Sequence, residues 1–273
     1  MNAQAVVLGF DTSCYTTSVA AVDLAGNPVV SCRKLLPVAM GERGLRQSDA
    51  LFIHVRQLPG LVEKLAEQIR GREIVAVCAS TKPREDENSY MPVFQAGDAQ
   101  ARGVAALLGV PCFASNHQRG HIEAALVGTG IPEGPLLAAH LSGGTTELVR
   151  AVADDKGLDI TRIGGTSDIS AGQFIDRMGV AMNLPFPAGV DKMAQSFSGT
   201  LKGASVFFKD GEVSFSGPES QGQRFLKEGD ADIPRLCRWT LATVWRGLRR
   251  LLDYAVSDGM THLVAAGGVM SNT

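Results

Sequence analysis

One pattern occurs twice in this sequence and restricts the folds open to it. An apolar strand, a tip of small or hydroxyl-bearing residues and an apolar return strand occupy residues 5–23, and the same order returns at residues 136–152. A supersecondary unit that is repeated within one chain indicates an internal duplication. The sequence therefore predicts two similar lobes that face each other.

Helical and strand patterns alternate between these two hairpins. The predicted elements there are a helix at 48–70 that Pro59 kinks or restarts, a strand at 74–79, a loop at 81–88, a helix at 97–108 and a strand at 111–114. Alternation of this kind is typical of α/β proteins with a parallel sheet. We predict an N-terminal lobe at 1–114 and a C-terminal lobe at 115–273 that carries the metal and nucleotide motifs.

The second half of the chain contains longer irregular stretches. After the second hairpin we predict a helix at 170–183, a proline-rich bend at 185–189, a loop-rich stretch to about residue 229, a helix at 233–258 and a strand at 262–266. The last strand leads into Gly267 and Gly268. A strand followed by two glycines usually brings the backbone to a ligand and then starts a helix.

Composition and charge narrow the cellular context. The chain has 26 basic and 28 acidic residues, so a role in nucleic-acid binding would need a local basic patch or a partner. Its five cysteines include no Cys-x-x-Cys pair, which favours reduced thiols over a disulfide framework. No apolar run approaches the roughly 20 residues that cross a bilayer. We expect a cytoplasmic protein without a membrane segment.

Two histidines four residues apart form the most distinctive local motif. Ser115 is the expected N-cap of a helix that carries His117 and His121 on one face, one turn apart. Two imidazoles placed in this way can bind one divalent metal, although two surface or capping histidines would show the same spacing. Gln118 stands where a zincin peptidase has its general-base glutamate, so that class is disfavoured.

The tip of the second hairpin has the composition of a phosphate-binding turn. Gly143 and Gly144 allow backbone N–H groups to approach an anion, and the hydroxyl of Ser142 adds a donor. Taken alone, a Ser-Gly-Gly turn is most often only a turn. Together with the tip at Asp11 and the glycines at 267–268, it predicts a nucleotide cleft between the lobes.

Two carboxylates follow the second hairpin. Asp176 lies among apolar residues of the predicted helix, where it is placed to accept hydrogen bonds from a ribose or from a transferred group. A solvated aspartate paired with a Lys or Arg one turn away would give the same sequence pattern. Asp191, just after the proline-rich bend, leaves the same two interpretations open.

The long helix at 233–258 carries a row of arginines. They are Arg235, Arg238, Arg246, Arg249 and Arg250. Such a row can contact a phosphate backbone, but a solvated helix face is the more common explanation. The sequence alone therefore assigns no RNA contact to these side chains.

In chain order, these motifs resemble those of the tRNA threonylcarbamoyladenosine transferase family, long described as glycoproteases. The similar segments are 7–14, 116–121, 141–144, 172–176, 187–191 and 267–272. The resemblance implies an actin-like ATPase fold, with two duplicated ribonuclease H-like lobes around a central cleft. It also implies transfer of a threonylcarbamoyl group from its adenylate to an adenosine of tRNA.

The resemblance further implies ligands, partners and residue roles. The cofactors would be an iron or zinc ion and ATP or threonylcarbamoyl-AMP, and the partners would be tRNA and a partner protein subunit, in a homodimer or a heterodimer. His117 and His121 would bind the metal. The substrate and the nucleotide would be contacted by Asp11, His140, Leu141, Ser142, Gly143, Gly144, Asp176, Gly189, Asp191 and Asn272.

The chain departs from the family pattern at several positions. Tyr15 and Thr16 replace a carboxylate pair, residues 82–88 replace a Gly-Pro-Gly loop, and Thr145 replaces a histidine. The family's third metal ligand lies in a segment after the position that corresponds to Thr273. These differences predict either a C-terminally truncated or a divergent member of the family.

Two main hypotheses follow for the function. The first is a metal- and nucleotide-binding homologue of the transferase. The alternative is a catalytically silent paralog that serves as a scaffold or partner of a true transferase subunit. A kinase of the same superfamily and a glycoprotein metallopeptidase are weaker candidates.

Overall fold

The chain forms two compact units. The computed structural model describes residues 4–13, 15–39, 42, 44–86, 88–131, 134–154, 157–185, 189–229, 231–256, 260 and 262–271. The first unit comprises residues 1–38 and 44–128, and the second comprises residues 39–43 and 129–273. This division differs from the predicted boundary at 114, because the helix that carries the two histidines stays with the first unit.

The first unit is a five-stranded sheet with three helices. Its elements are β1 (Ala5–Ser13), β2 (Thr16–Asp23), β3 (Pro28–Leu35), α1 (Gln47–Gln68), β4 (Glu73–Lys82), α2 (Phe94–Leu108), β5 (Cys112–Asn116) and α3 (His117–Leu126). The strand order is β3-β2-β1-β4-β5. Strands β1, β4 and β5 are parallel, and β2 and β3 form an antiparallel extension.

The core of the first unit lies between the sheet and helix α1. Alternate residues of β1, including Val6, Leu8 and Phe10, are buried together with Leu58 and Leu65 of α1. The predicted restart at Pro59 does not occur, since α1 is one helix from Gln47 to Gln68 and Pro59 lies on its exposed side. Burial of the apolar face outweighs the hydrogen bond that a proline removes from a helix.

The second unit is a six-stranded sheet with four helices in its described part. Its elements are β6 (Leu136–Leu141), β7 (Thr146–Asp154), β8 (Gly157–Thr166), α4 (Ala171–Ala181), α5 (Gly189–Ala194), β9 (Phe207–Lys209), β10 (Glu212–Ser214), α6 (Ser216–Lys227), α7 (Ile233–Ala255), β11 (Leu263–Ala266) and a 3-10 turn (Gly268–Ser271). The strand order is β11-β6-β7-β8-β10-β9.

The two sheets share one topology. In each, three consecutive strands form an antiparallel meander, β1 to β3 and β6 to β8. The free edge of the first strand then pairs in parallel with a later strand, which is β4 in the first unit and β11 in the second. This arrangement is ribonuclease H-like, and it confirms the predicted α/β fold and internal duplication.

Helix α7 supplies much of the core of the second unit. The Asp232 side chain caps it by accepting from the Arg235 N–H, and a proline occupies its first turn. Leu248 and Leu251 are buried against the sheet, while Trp239 packs on Phe174 with ring centroids 6.4 Å apart. Within the described parts of the chain, no helix is both long and apolar enough to cross a membrane.

The predicted loop-rich stretch before α7 is wrong in part, because it contains α5, a short hairpin of β9 and β10, and α6. Helix α6 includes Gly217, Pro218 and Gly222, which usually mark loops, and its sequence is mostly polar. Gly222 allows close packing here, since a Cβ there would lie 2.8 Å from the sulfur of Met178 and that side chain would have to move. Tertiary packing thus overrides the low helix propensity of this segment.

Candidate functional site

Three polar side chains form a chain of contacts at one edge of the first sheet. Asp11 is near the end of β1, and His117 begins α3 directly after β5. Oδ2 of Asp11 lies 2.8 Å from Nδ1 of His117, and Nε2 of His117 lies 2.9 Å from Nε2 of His121. Because β1, β4 and β5 are parallel, their carboxyl ends share one edge, and this brings together residues that are 106 positions apart.

Helix α3 is capped one residue later than predicted. Ser115 remains in β5, where it pairs with Ser80, so it is not the N-cap. The cap is Asn116, whose side-chain oxygen accepts from the Arg119 N–H at 2.8 Å. Parallel pairing with β4 keeps the chain extended through residue 116 and sets the starting point of the helix.

The loop after β4 fixes the start of α3. The Gln118 N–H donates to the Pro83 carbonyl at 2.9 Å. Glu85 accepts from the Asn116 amide at 2.5 Å and lies 3.6 Å from the Arg119 guanidinium. These contacts come from residues 82–88, which stand where the family pattern has a Gly-Pro-Gly loop. They hold the first turn of α3, and with it His117, against the sheet.

The pKa values of this group keep Asp11 negatively charged and the His121 ring neutral. Burial alone would raise the pKa of Asp11, but the charge and hydrogen bond of His117, together with hydrogen bonds from Ser80 and the Ser13 N–H, outweigh it and lower that pKa to about 2. Burial, and then the charge of His117, lower the pKa of His121 to about 4. At neutral pH His121 is therefore an uncharged imidazole, the form that binds metals.

The two imidazoles lie close enough together to be compared with a shared metal site. Two nitrogen ligands at about 2.0–2.1 Å from one tetrahedral ion are about 3.3 Å apart. The two Nε2 atoms are within hydrogen-bond distance of each other at 2.9 Å, so a small opening of the pair would admit one ion. The carboxylate on Nδ1 of His117 is the outer partner that metal-binding histidines usually have. The described residues contain no cluster of three or more metal-binding side chains. Further ligands would have to come from water, substrate or residues outside the described set.

The tip of the second hairpin is a closed turn docked on α4. The Ser142 N–H donates to the Thr145 carbonyl at 2.8 Å, and the Thr145 N–H donates to the Ser142 hydroxyl at 3.1 Å. Ser170, the N-cap of α4, donates from its hydroxyl to the Gly143 carbonyl at 2.8 Å. The glycine tip and the N-terminus of a helix therefore lie side by side, and both are features that favour bound anions.

Two glycines make this close assembly possible. A Cβ on Gly172 would lie 2.6 Å from the Cα of Gly143, so only glycine allows α4 to approach the tip. Gly267 has a φ of +95°, and a Cβ there would lie 2.7 Å from the carbonyl carbon of Leu141. The tip, α4 and the turn after β11 therefore meet within the second unit.

Asp176 lies one helical turn after Gly172, on the same face of α4. Burial, and then the negative charge of Asp191, raise the pKa of Asp176 to about 6. Burial also raises the pKa of Asp191. The arginine that follows Asp176 pairs instead with Glu219, at 3.0 Å. Among the described residues no cation lies within 4.0 Å of Asp176, which disfavours the interpretation of a solvated ion pair.

The remaining predicted site residues are distributed as follows. His140 and Leu141 are buried at the end of β6, where Leu141 precedes the tip. Gly189 begins the short helix α5 that carries Asp191. Asn272 and residues 186–188 lie outside the described residues. Two of the three predicted loops thus meet in the second unit, the loop at Asp11 meets the two histidines in the first, and their convergence on one nucleotide stays a prediction.

Several residues that build these sites are not marked by any local sequence pattern. Glu85 and Ser80 were missed because they act on partners more than 30 positions away in the chain. The helix start predicted at residue 170 matches the N-cap Ser170, and its Ser-x-x-Gln spacing to Gln173 is a capping-box signal that the structure confirms. A local pattern does not show that this helix N-terminus lies beside the Gly143 tip.

Comparison with known proteins gives a consistent result. A family model described as tRNA N6-adenosine threonylcarbamoyltransferase matches residues 48–273. The enzyme of that name from Prochlorococcus marinus (strain MIT 9313) is 28% identical over 292 aligned positions, which cover 97% of this chain and 79% of the relative. The one from Ligilactobacillus salivarius (strain UCC118) is 28% identical over 281 positions, with 98% and 79% covered.

Solved structures support the fold. A ROK family glucokinase from Streptomyces griseus, solved with glucose and AMPPNP, superimposes with a TM-score of 0.51 at 13% identity and covers 97% of this chain and 83% of its own. This likeness shows the actin-like ATPase fold and nothing finer. The family model, by contrast, spans far more than half of the sequence. The chain belongs to the tRNA N6-adenosine threonylcarbamoyltransferase family.

Proposed function

We propose that this chain transfers a threonylcarbamoyl group from its adenylate to an adenosine of tRNA, with a divalent iron or zinc ion bound by His117 and His121. The observation that carries the proposal is the chain of contacts from Asp11 through His117 to His121. It fits a metal site, and the family supplies the reaction. In that reaction the adenosine N6 bonds to the carbamoyl carbon and loses one proton to solvent, and the bond from that carbon to the phosphate oxygen breaks, so that AMP leaves with the bonding electrons.

In the first unit, Asp11 positions the histidine pair. Its carboxylate holds the proton on Nδ1 of His117, which leaves Nε2 of the same ring to face Nε2 of His121. The hydrogen bonds from Ser13 and Ser80 keep Asp11 ionised. When bound, the metal would supply Lewis-acid stabilisation of phosphate or carbamoyl oxygen.

In the second unit, the glycine tip and α4 would hold the anionic part of the substrate. The backbone N–H groups of Gly143 and Gly144 would donate to a phosphate, and the helix dipole of α4 would favour its charge, although the N–H groups of Ala171 and Gln173 are already engaged. Asp176, on the same face one turn later, would accept hydrogen bonds from hydroxyl groups such as those of a ribose. With a pKa of about 6, this carboxyl is ionised at pH 7.5 and available as an acceptor.

A metal-content and nucleotide-titration experiment tests the proposal. Protein loaded with iron or zinc and dialysed is expected to retain one ion per chain, and His117→Ala or His121→Ala is expected to lose it. Asp11→Asn is expected to weaken metal binding by about ten- to hundredfold, since it changes only the outer partner of His117. His262→Ala removes an exposed histidine of the second unit and serves as the control.

The same samples are then titrated with AMP and with a non-hydrolysable threonylcarbamoyl-adenylate analogue in a calorimeter. Binding by the metal-loaded protein, with transfer to tRNA when the true adenylate is supplied, is the expected result. If metal binds at neither histidine and no adenine nucleotide binds, the proposal is wrong.

One observation favours the second candidate, a catalytically silent scaffold. Glu85 and Pro83 tie the loop after β4 to the start of α3, in place of the glycine-rich loop of the family pattern. A rigid polar anchor there reduces the backbone freedom that a substrate loop needs. The scaffold hypothesis predicts nucleotide binding without any transfer by this chain, and stimulation of a separate transferase subunit.

A further inference from the structure

The outer face of α7 combines exposed arginines with an exposed tryptophan. Trp245 has 59% of its surface exposed, which is unusual for so large an apolar side chain. At 100° per residue, Arg238, Trp245 and Arg249 fall on one line along the helix, and all three are exposed. The two arginines are separated by about 16 Å, with the indole between them.

This face has a charge composition unlike that of the rest of the chain. The whole sequence holds 26 basic and 28 acidic residues, yet residues 233–252 contain five arginines and no Asp or Glu. An ordinary solvated helix face carries both signs, with pairs at three or four positions apart. Asp253 follows on the same face, 3.8 Å from Arg249, so this face is not of one sign. The exposed Arg235, Arg238 and Arg249 still outnumber it, and this excess of positive charge favours an anionic partner.

Helix stability does not account for the first arginines of this row. Arg235 lies in the first turn of α7, where the partial positive charge of the helix N-terminus disfavours a cation, and Arg238 follows in the second turn, beyond that effect. Among the described residues neither side chain forms an ion pair with a carboxylate within 4.0 Å. Neither arginine is explained by an ion pair within the described protein, and Arg235 also stands where the helix dipole disfavours it, which leaves both guanidinium groups to solvent or to an external anion.

Two arginines further along α7, Arg246 and Arg249, have contacts within the protein. Arg246 donates to the Gly203 carbonyl at 2.7 Å and is partly buried, so it ties a loop to α7. Arg249 lies 3.8 Å from Asp253, but both side chains are about 70% exposed, and such a pair is weak. Arg238 and Arg249 are thus available to solvent, while Arg246 is already engaged.

We propose that the outer face of α7 is an RNA-binding surface, in which Arg235, Arg238 and Arg249 contact backbone phosphates and Trp245 stacks on an unpaired base. Guanidinium groups match phosphate oxygens in two-pronged hydrogen bonds, and an indole is a stacking surface for any base. An acidic protein would also satisfy the arginines and can pack on an indole. RNA is the occupant favoured here because the matching family model describes a tRNA-modifying enzyme, and the polyglutamate arm of the test below separates the two. The inference rests on the proposed function and assigns the tRNA-contacting surface to a helix outside the metal and nucleotide motifs.

Binding of an unmodified tRNA transcript to the metal-loaded full chain, measured by fluorescence anisotropy from 50 to 300 mM KCl, tests this inference. Arg238→Gln and Arg249→Gln are each expected to weaken binding about five- to tenfold near 0.1 M salt and to reduce the slope of log K against log salt by nearly one. Arg102→Gln removes the same charge from an exposed position on α2 and is expected to leave both quantities unchanged.

The tryptophan has its own readout. Trp245→Ala is expected to weaken tRNA binding by about tenfold without changing the salt slope, and Trp245→Phe is expected to restore most of the loss because the phenyl ring still stacks. A fully paired RNA duplex should bind more weakly than tRNA and should be insensitive to Trp245→Ala.

Three results would overturn the inference: no tRNA binding by the unaltered chain, equal effects of Arg102→Gln and Arg238→Gln, or binding of polyglutamate as tight as that of tRNA. Calorimetry with AMP separates this surface from the proposed function. Variants of α7 should bind AMP normally, so loss of RNA binding with intact nucleotide binding supports the surface. Loss of AMP binding by the unaltered chain would instead count against the proposed function.

Discussion

Replacing Asp176 with asparagine is expected to stabilise the second unit at alkaline pH. The pKa of Asp176 is raised from 3.8 to about 6, first by burial and then by the charge of Asp191. A carboxyl whose pKa is raised on folding favours the folded state only while it is protonated. Its contribution is complete below about pH 4 and is lost as the pH rises through about 6.

The size of the effect follows from the two pKa values. A difference of about 2 corresponds to about 3 kcal/mol at 1.36 kcal/mol for each factor of ten, and the partial solvent access of the carboxyl reduces this to about 2 kcal/mol. Asparagine has nearly the same shape and no charge to bury. For a unit of this size, 2 kcal/mol corresponds to a rise in Tm of about 4–8 °C.

Thermal and urea unfolding of Asp176→Asn and of the unaltered chain at pH 5 and pH 8 measure this effect. The variant should gain about 2 kcal/mol at pH 8 and much less at pH 5. Asp159→Asn, on the exposed side of β8, is the matched control and should show no gain at either pH. An equal stability difference at both pH values, or a destabilised variant at pH 8, would refute the reasoning. Asp191→Asn should also lower the pKa of Asp176, which carboxyl NMR titration can follow.

Two further predictions concern the loops of the second unit. Gly172→Ala is expected to destabilise the protein by about 1–3 kcal/mol and to weaken AMP binding, because a methyl 2.6 Å from the Cα of Gly143 must push α4 away from the tip. Urea unfolding measures the first effect and calorimetry the second. Gly217→Ala, whose added methyl would meet open space, is the control. Asp168→Ala is expected to cost about 1–2 kcal/mol, since its carboxylate accepts from the N–H of Phe215 and the hydroxyl of Ser216 at the start of α6. Burial would raise the pKa of Asp168, but hydrogen bonds from the hydroxyls of Ser214 and Ser216 and from the N–H groups of Phe215 and Ser216 outweigh it and lower that pKa to about 2. The contribution is therefore present above about pH 4 and lost as the pH falls toward 2, and it disappears from the acid unfolding curve of the variant.

Local patterns were sufficient to predict the parts of the fold that depend on neighbouring residues. The two hairpins, the helix with His117 and His121 and the long helix α7 all follow from periodicity and turn residues within short windows. The strands β3 and β8 were not anticipated, because each starts directly after a turn that was taken as the end of its hairpin. Whether a turn leads into another strand depends on the edge of a sheet, which a short window does not contain.

The contacts that build the candidate sites depend on pairing across long stretches of sequence. Asp11 reaches His117 only because β1 and β5 end at the same edge of a parallel sheet. The requirement for Gly172 is likewise invisible in sequence, since nothing in the neighbourhood of that residue indicates how close the tip at Gly143 comes. Side-chain chemistry was therefore easier to predict than the partner of each side chain.

The place of β11 in the second sheet has a consequence for biosynthesis. β11 pairs with β6, a strand made more than 120 residues earlier, whereas the sheet of the first unit closes with β5 at residue 116. Because the ribosome delivers the chain from its N-terminus, the first unit is able to fold while most of the second is still unmade. The edge of β6 stays open, and the turn at Gly267 is missing from its place beside Leu141, until nearly the last of these residues has been added. The packing around the Gly143 tip is thus completed only after β11 has been made, and a nascent chain stalled in α7 would carry the histidine pair but an unsupported tip.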